Sequence, residues 1–121
     1  MAVMKATTKI ALEELLGSKY SIKIGNNTTV RRCEGYLEIS LHDHPIIILD
    51  DVSVRFNLQG WPTVTTRERI NQFLPSDYRV YQKDNVQMMS SAGQNDVPIV
   101  DNMWYVCGST QIVDHRVIYS S

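Results

Sequence analysis

His42 and His44 stand two residues apart in Leu41-His42-Asp43-His44-Pro45. On a strand, residues i and i+2 share a face, so both imidazoles could hold one divalent metal, with Asp43, Asp50 or Asp51 offering oxygen. No third ligand sits at a diagnostic spacing, and His115 is remote in sequence. The ordinary reading of the pair is a strand end before a proline-led turn, with polar side chains in water. A second group is Arg67, Arg69, Asn71 and Gln72, followed by Arg79. Arg, Asn and Gln are the side chains that read base edges, and an exposed helix carrying them could enter a groove. Trp61, just ahead of them, could stack on a base. The competing reading is a solvated helix face and a tryptophan that plugs the core at a turn. Cys33 beside Arg31 and Arg32 could have an acidic thiol, as could any surface cysteine near arginine.

No catalytic constellation emerges. There is no G-x-S-x-G elbow for a hydrolase, no G-x-x-x-x-G-K and no G-x-G-x-x-G for a nucleotide. No bound metal or cofactor is expected, and an enzyme is the less favoured reading. The net charge of −1 and a pI near 6.3 argue against a dedicated nucleic-acid binder, which usually shows a basic excess. They leave room for a local basic face. The two cysteines, Cys33 and Cys107, form no C-x-x-C pair. They read as free thiols in a reducing compartment. Residues 1–8 hold one lysine and no long apolar run, so neither a signal peptide nor a membrane span is expected, and the location expected is the cytoplasm.

The elements that must position these residues follow from periodicity. At 121 residues and 43% hydrophobic, the chain suits one domain with a real core, taken here as 1–121. Thr8 can cap a short helix carrying Ile10, Leu12, Leu15 and Leu16, which Gly17 stops. Strand periodicity runs over 18–24, 28–33 and 36–41, with a turn at Gly25-Asn26-Asn27 and a kink or bulge at Glu34-Gly35. Ile46 to Leu49 and Val52 to Leu58 extend an antiparallel meander with one wet face.

Asn57 to Pro75 organises the rest. It ends a strand, turns at Gly60, and starts a helix over about 66–74. Thr65 and Glu68 fit a T-x-x-E capping box. Ile70, Phe73 and Leu74 form its apolar face, and Pro75 ends it. Another strand follows at 78–82. Residues 83–102 are polar and rich in Gly, Ser, Asn and Asp, so they read as an inserted loop. Its apolar islands, Val86, Met88, Met89 and 97–100, would fold onto the domain or onto a partner. A strand over 103–107 and a terminal hairpin over 111–119 complete the chain. The six tyrosines fit a binding surface or ordinary strands equally.

The helix and its surroundings resemble a family of small, mostly uncharacterised proteins encoded by tailed bacteriophages. In that family G-W-x-T-x-T-T-x-x-R-(I/M)-N is followed by a Y-x-V-x-Q strand and a W-Y-V strand. The matching residues are Gly60, Trp61, Thr63, Thr65, Thr66, Arg69, Ile70 and Asn71, then Tyr78, Val80 and Gln82, then Trp104, Tyr105 and Val106. Leu41-His42 matches an upstream L-H pair. The likeness covers about 28–106. The segment 83–102 and the N-terminal helix depart from it as additions, and additions are where a partner would be engaged. The resemblance implies a phage origin and no established activity.

The expectation is therefore an α+β fold: a mainly antiparallel, twisted sheet with one central helix packed on it and a short N-terminal helix. The expected role is a non-enzymatic phage-type protein that binds a host or phage protein, with inhibition of a host defence or enzyme as one form. Nucleic-acid binding through the central helix and a metal enzyme built on His42 and His44 are the alternatives. Self-association is compatible with the first, since edge strands pair readily. The contact residues expected are Arg67, Arg69, Gln72, Arg79, Met88 and Met89.

Overall fold

The computed structural model describes residues 8–108. Within them the chain is α+β, with two helices and two antiparallel sheets. Helix α1 spans Lys9–Leu16, capped as the sequence expects. The Thr8 hydroxyl accepts from the Ala11 N–H at 3.2 Å, and the N–H of Gly17, at φ 58°, closes the last turn onto Glu13. Leu12 and Leu16 enter the core, while Ile10 and Leu15 stay exposed.

Five strands then meander: β1 Ser21–Gly25, β2 Thr28–Cys33, β3 Tyr36–Leu41, β4 His44–Leu49 and β5 Ser53–Phe56. The last strand of the described residues, β9 Tyr105–Gly108, pairs with β5 and gives the order β1-β2-β3-β4-β5-β9. Register aligns one inward row across all six: Ile22, Val30, Ile39, Ile47, Phe56 and Tyr105. Phe56 and Tyr105 stack with ring centroids 5.4 Å apart. The opposite face is wetter, with Arg31 paired to Glu38 across β2 and β3. This in-out alternation is what an antiparallel sheet with one covered face requires. Glu34-Gly35 is a two-residue hairpin turn between β2 and β3, with Gly35 at φ 86°, and not a bulge in one strand.

What covers the inward row is α2, Val64–Phe73, together with a small second sheet of β6 Tyr78–Lys83, β7 Val86–Ser91 and β8 Val97–Pro98. Helix α2 lies against β4 and β6. Its Ile70 and Phe73 are buried as the periodicity predicts, and burying such side chains stabilises by about 1.5–3 kcal/mol each. Val80 and its cross-strand partner Met89 face the same core. There Met89 Sδ lies 3.9 Å from the Cys107 thiol of β9, so the two sheets meet in one cluster.

Three expectations need correction. The helix starts two residues early, because its cap is Thr63 and not Thr65. The Thr63 hydroxyl accepts from the Thr66 N–H at 3.2 Å, and no reciprocal bond from Glu68 completes a capping box among the described residues. Residues 83–102 are not a loop throughout. Asp84 and Asn85, at φ 53° and 65°, make a tight turn that returns the chain as β7. Trp61 does not plug the core: it is 49% exposed, and the buried apolar residues on either side of it along the chain are Leu58 and, in the helix, Ile70. The expected terminal hairpin over 111–119 lies outside the described residues.

Candidate functional site

The turn into α2 is tightly specified. The Asn57 side chain accepts from the Gln59 N–H at 2.7 Å, and the Trp61 N–H reaches back to the Leu58 carbonyl at 3.0 Å. Gln59 and Gly60 both take positive φ, 58° and 75°. A Cβ at Gly60 would lie 3.1 Å from the Asn102 side-chain oxygen, so only glycine fits there without displacement. The Gly60 N–H donates to the Asp101 carbonyl, and Gln59 Nε2 donates to the Pro45 carbonyl. The segment is thus anchored to β4 on one side and to residues 101–102 on the other.

This geometry turns the Trp61 indole outward, over the hairpin that joins β3 to β4. His42 and Asp43 are the two central residues of that hairpin, at φ 52° and 68°. His42 is therefore a turn residue, and the pair does not lie along one strand as the i, i+2 argument supposes. Both rings nonetheless meet Trp61, with centroids 6.1 Å away for His42 and 5.5 Å for His44. Leu41, Ile46, Leu58, Gln59 and Thr66 floor the small cleft beneath the three rings. No group of three or more His, Cys, Asp or Glu with metal-binding geometry occurs among the described residues.

Large exposed apolar side chains continue the rim. Val64 begins α2, and Val100 and Met103 flank the Asp101-Asn102 segment bonded to Gly60; all three are exposed. The Tyr105 hydroxyl fixes this segment from below by accepting from the Val100 N–H at 2.9 Å. Tyrosine and tryptophan bring large area to an interface at little entropy cost. The sequence alone offers Trp61 as a core plug or a base stacker, and the structure places it at an exposed edge. The signal that its ring faces out was the Gly60 turn, which sets the direction of the indole.

The expected contact residues scatter. Arg67 Nη1 donates to the Pro62 carbonyl, at 2.9 Å, and to Gln87 Oε1, at 3.0 Å, with Gln82 Oε1 at 3.4 Å. Arg69 Nε donates to the buried Thr28 hydroxyl at 3.0 Å. Both guanidinium groups are thus engaged within the fold and do not project from the helix as a reading head. Gln72 is exposed. Met89 is 1% exposed and belongs to the core, so it offers nothing to a partner. Arg79 is exposed and Met88 half-buried, and both lie on the outward face of the second sheet. Cys33 is a half-buried free thiol; Cys107 is a buried one whose pKa burial pushes up to about 12.

Fold and rim together define a small α+β scaffold that presents an aromatic and apolar edge. Residues 4–111 match the family model described as Kyanoviridae Gp96 protein, and the chain belongs to that bacteriophage protein family. No curated protein matches the chain, and no solved structure does. No helix among the described residues is long and apolar enough to cross a membrane.

Proposed function

We propose that this phage protein is a non-enzymatic binding module that acts in the host cytoplasm and engages a host or phage protein through the rim around Trp61. The observation that carries this reading is a half-exposed tryptophan held on a braced turn, with the His42 and His44 rings against it and exposed Val64, Val100 and Met103 on the segments joined at that turn. An indole presented this way is pre-organised: little conformational freedom is left to lose when a partner covers it. Inhibition of a host enzyme or defence factor is one outcome such a contact could have.

Affinity capture from infected host cells, with the wild type and Trp61→Ala as parallel baits, tests the reading. One or more proteins retained by the wild type and lost with Trp61→Ala support it, provided the two baits have the same circular dichroism spectrum. Equal capture by both baits would remove the rim from the interaction. Sedimentation of the wild type alone separates self-association through the same surface from capture of a foreign partner.

A further inference from the structure

The second sheet has an outward face of its own. Along β6 Val80 enters the core, Tyr78 packs against it, and Gln82, though exposed, shares their side of the strand. Arg79, Tyr81 and Lys83 therefore share the opposite side. Their cross-strand partners on β7 are Ser90, Met88 and Val86, and Pro98 of β8 lies opposite Met88. The face thus carries two cations on one strand, an aromatic ring between them, and a flexible thioether beside the ring. Neither Arg79 nor Lys83 has a carboxylate within ion-pair distance among the described residues. At ~3.3 Å per residue their Cα atoms are ~13 Å apart, about the span of two nucleotides of an extended strand.

We infer that this face binds single-stranded nucleic acid, with Arg79 and Lys83 on phosphates two nucleotides apart and a base between them stacked on Tyr81 against Met88. The Tyr81 hydroxyl donates to Asp96 at the edge of β8, and this bond fixes the ring across the face. Asp96 and Asp84, the latter in the hairpin turn, border the face and confine the phosphates to the line of β6. Aromatic rings stack on any base, so the binding is tolerant of sequence. Two phosphate contacts give a shallow salt dependence, with affinity about sevenfold lower at 200 mM than at 50 mM salt. The overall charge of −1 fits a modest, local electrostatic contribution of this kind.

Fluorescence anisotropy of labelled ten-nucleotide oligo-dT and oligo-rU with the full chain tests the proposal. Saturable binding at 50 mM salt is expected. Tyr81→Leu weakens it about fivefold or more, the lower end of what loss of one stacked base does. Tyr81→Phe, which keeps the stacking ring and loses only the bond to Asp96, weakens it less than Tyr81→Leu does, and the pair Arg79→Ala with Lys83→Ala removes most of the salt dependence. Lys23→Ala, a surface cation on β1, and Trp61→Ala leave it unchanged, so failure here is separate from failure of the protein-binding rim. The proposal is overturned if no oligonucleotide binds at 50 mM salt, or if Tyr81→Leu binds as well as the wild type. Poly-glutamate displacing the label as well as unlabelled oligonucleotide would assign the face to an acidic polypeptide and overturn it too.

Discussion

The side-chain amide of Asn71 bonds to both backbone groups of Val80. Nδ2 donates to the Val80 carbonyl and Oδ1 accepts from the Val80 N–H, each at 2.8 Å. Among the described residues strand β6 is an edge of its sheet, and Asn71 occupies the place a neighbouring strand would take. One residue of α2 thus both docks the helix and closes an edge that would otherwise be open to another chain. Asn71→Ala leaves a buried donor and acceptor unpaired, at a cost of about 2–3 kcal/mol. Urea denaturation should show a lower midpoint with an unchanged slope. Asn71→Asp keeps the acceptor but sets a carboxylate oxygen against the Val80 carbonyl, so at neutral pH it should cost at least as much as Asn71→Ala.

The thiols should differ sharply in reactivity. Cys107 is buried between the sheets and its thiolate is suppressed by burial, whereas Cys33 is only half-buried. Since the thiolate is the reactive form, a disulfide reagent should modify Cys33 in the folded protein and reach Cys107 only in denaturant. Cys107→Ser should destabilise the fold by about 1–3 kcal/mol, because its hydroxyl would lack a good partner beside Met89. Cys33→Ser should be nearly silent.

Much of this frame was legible because local and global signals agree. Strands β2 and β3 fall on the expected 28–33 and 36–41, where apolar alternation is bounded by turn residues on both sides. Helix α1 carries its start and stop in Thr8 and Gly17. Strand β7 is hidden in the sequence because Val-Gln-Met-Met-Ser-Ser has little β-branched character. Its Asp84-Asn85 turn merged into a polar stretch, although both residues tolerate positive φ. The cap of α2 is ambiguous in the sequence because Thr63, Thr65 and Thr66 offer competing hydroxyls, and only the backbone direction after Pro62 selects Thr63. Arg67 and Arg69 looked available for binding because sequence does not show that Gln87 and Thr28, 20 and 41 residues away, come within reach.

Asp50 makes stability pH-dependent. Burial works to raise its carboxyl pKa, but bonds from the Val52 and Ser53 N–H groups, the Ser53 hydroxyl and Arg55 outweigh it and hold the pKa below its ordinary value of 3.8. A carboxyl depressed on folding contributes stability that is fully present above its unfolded pKa and lost as pH falls through the folded one. Asp50→Asn should therefore cost about 1–2 kcal/mol near neutral pH. The gap to wild type should hold down to about pH 4 and narrow below it, read from thermal melts over that range.

The His42-Asp43 hairpin separates backbone strain from ring contact. Both residues sit at positive φ, which a β-branched side chain resists and asparagine or glycine accepts. Asp43→Gly should stabilise the protein by about 0.5–1 kcal/mol by relieving one strained position. His42→Val should cost about 1–2 kcal/mol and also remove the ring beside Trp61. His42→Asn removes the same ring while keeping a residue suited to the turn. If the turn sets stability and the imidazole sets only the surroundings of the indole, His42→Asn will melt like the wild type yet shift the Trp61 emission. Trp104→Phe should be the background for both variants, so that the emission read is that of Trp61. An equal loss of stability in His42→Asn and His42→Val would instead assign the energy to the contact between His42 and Trp61.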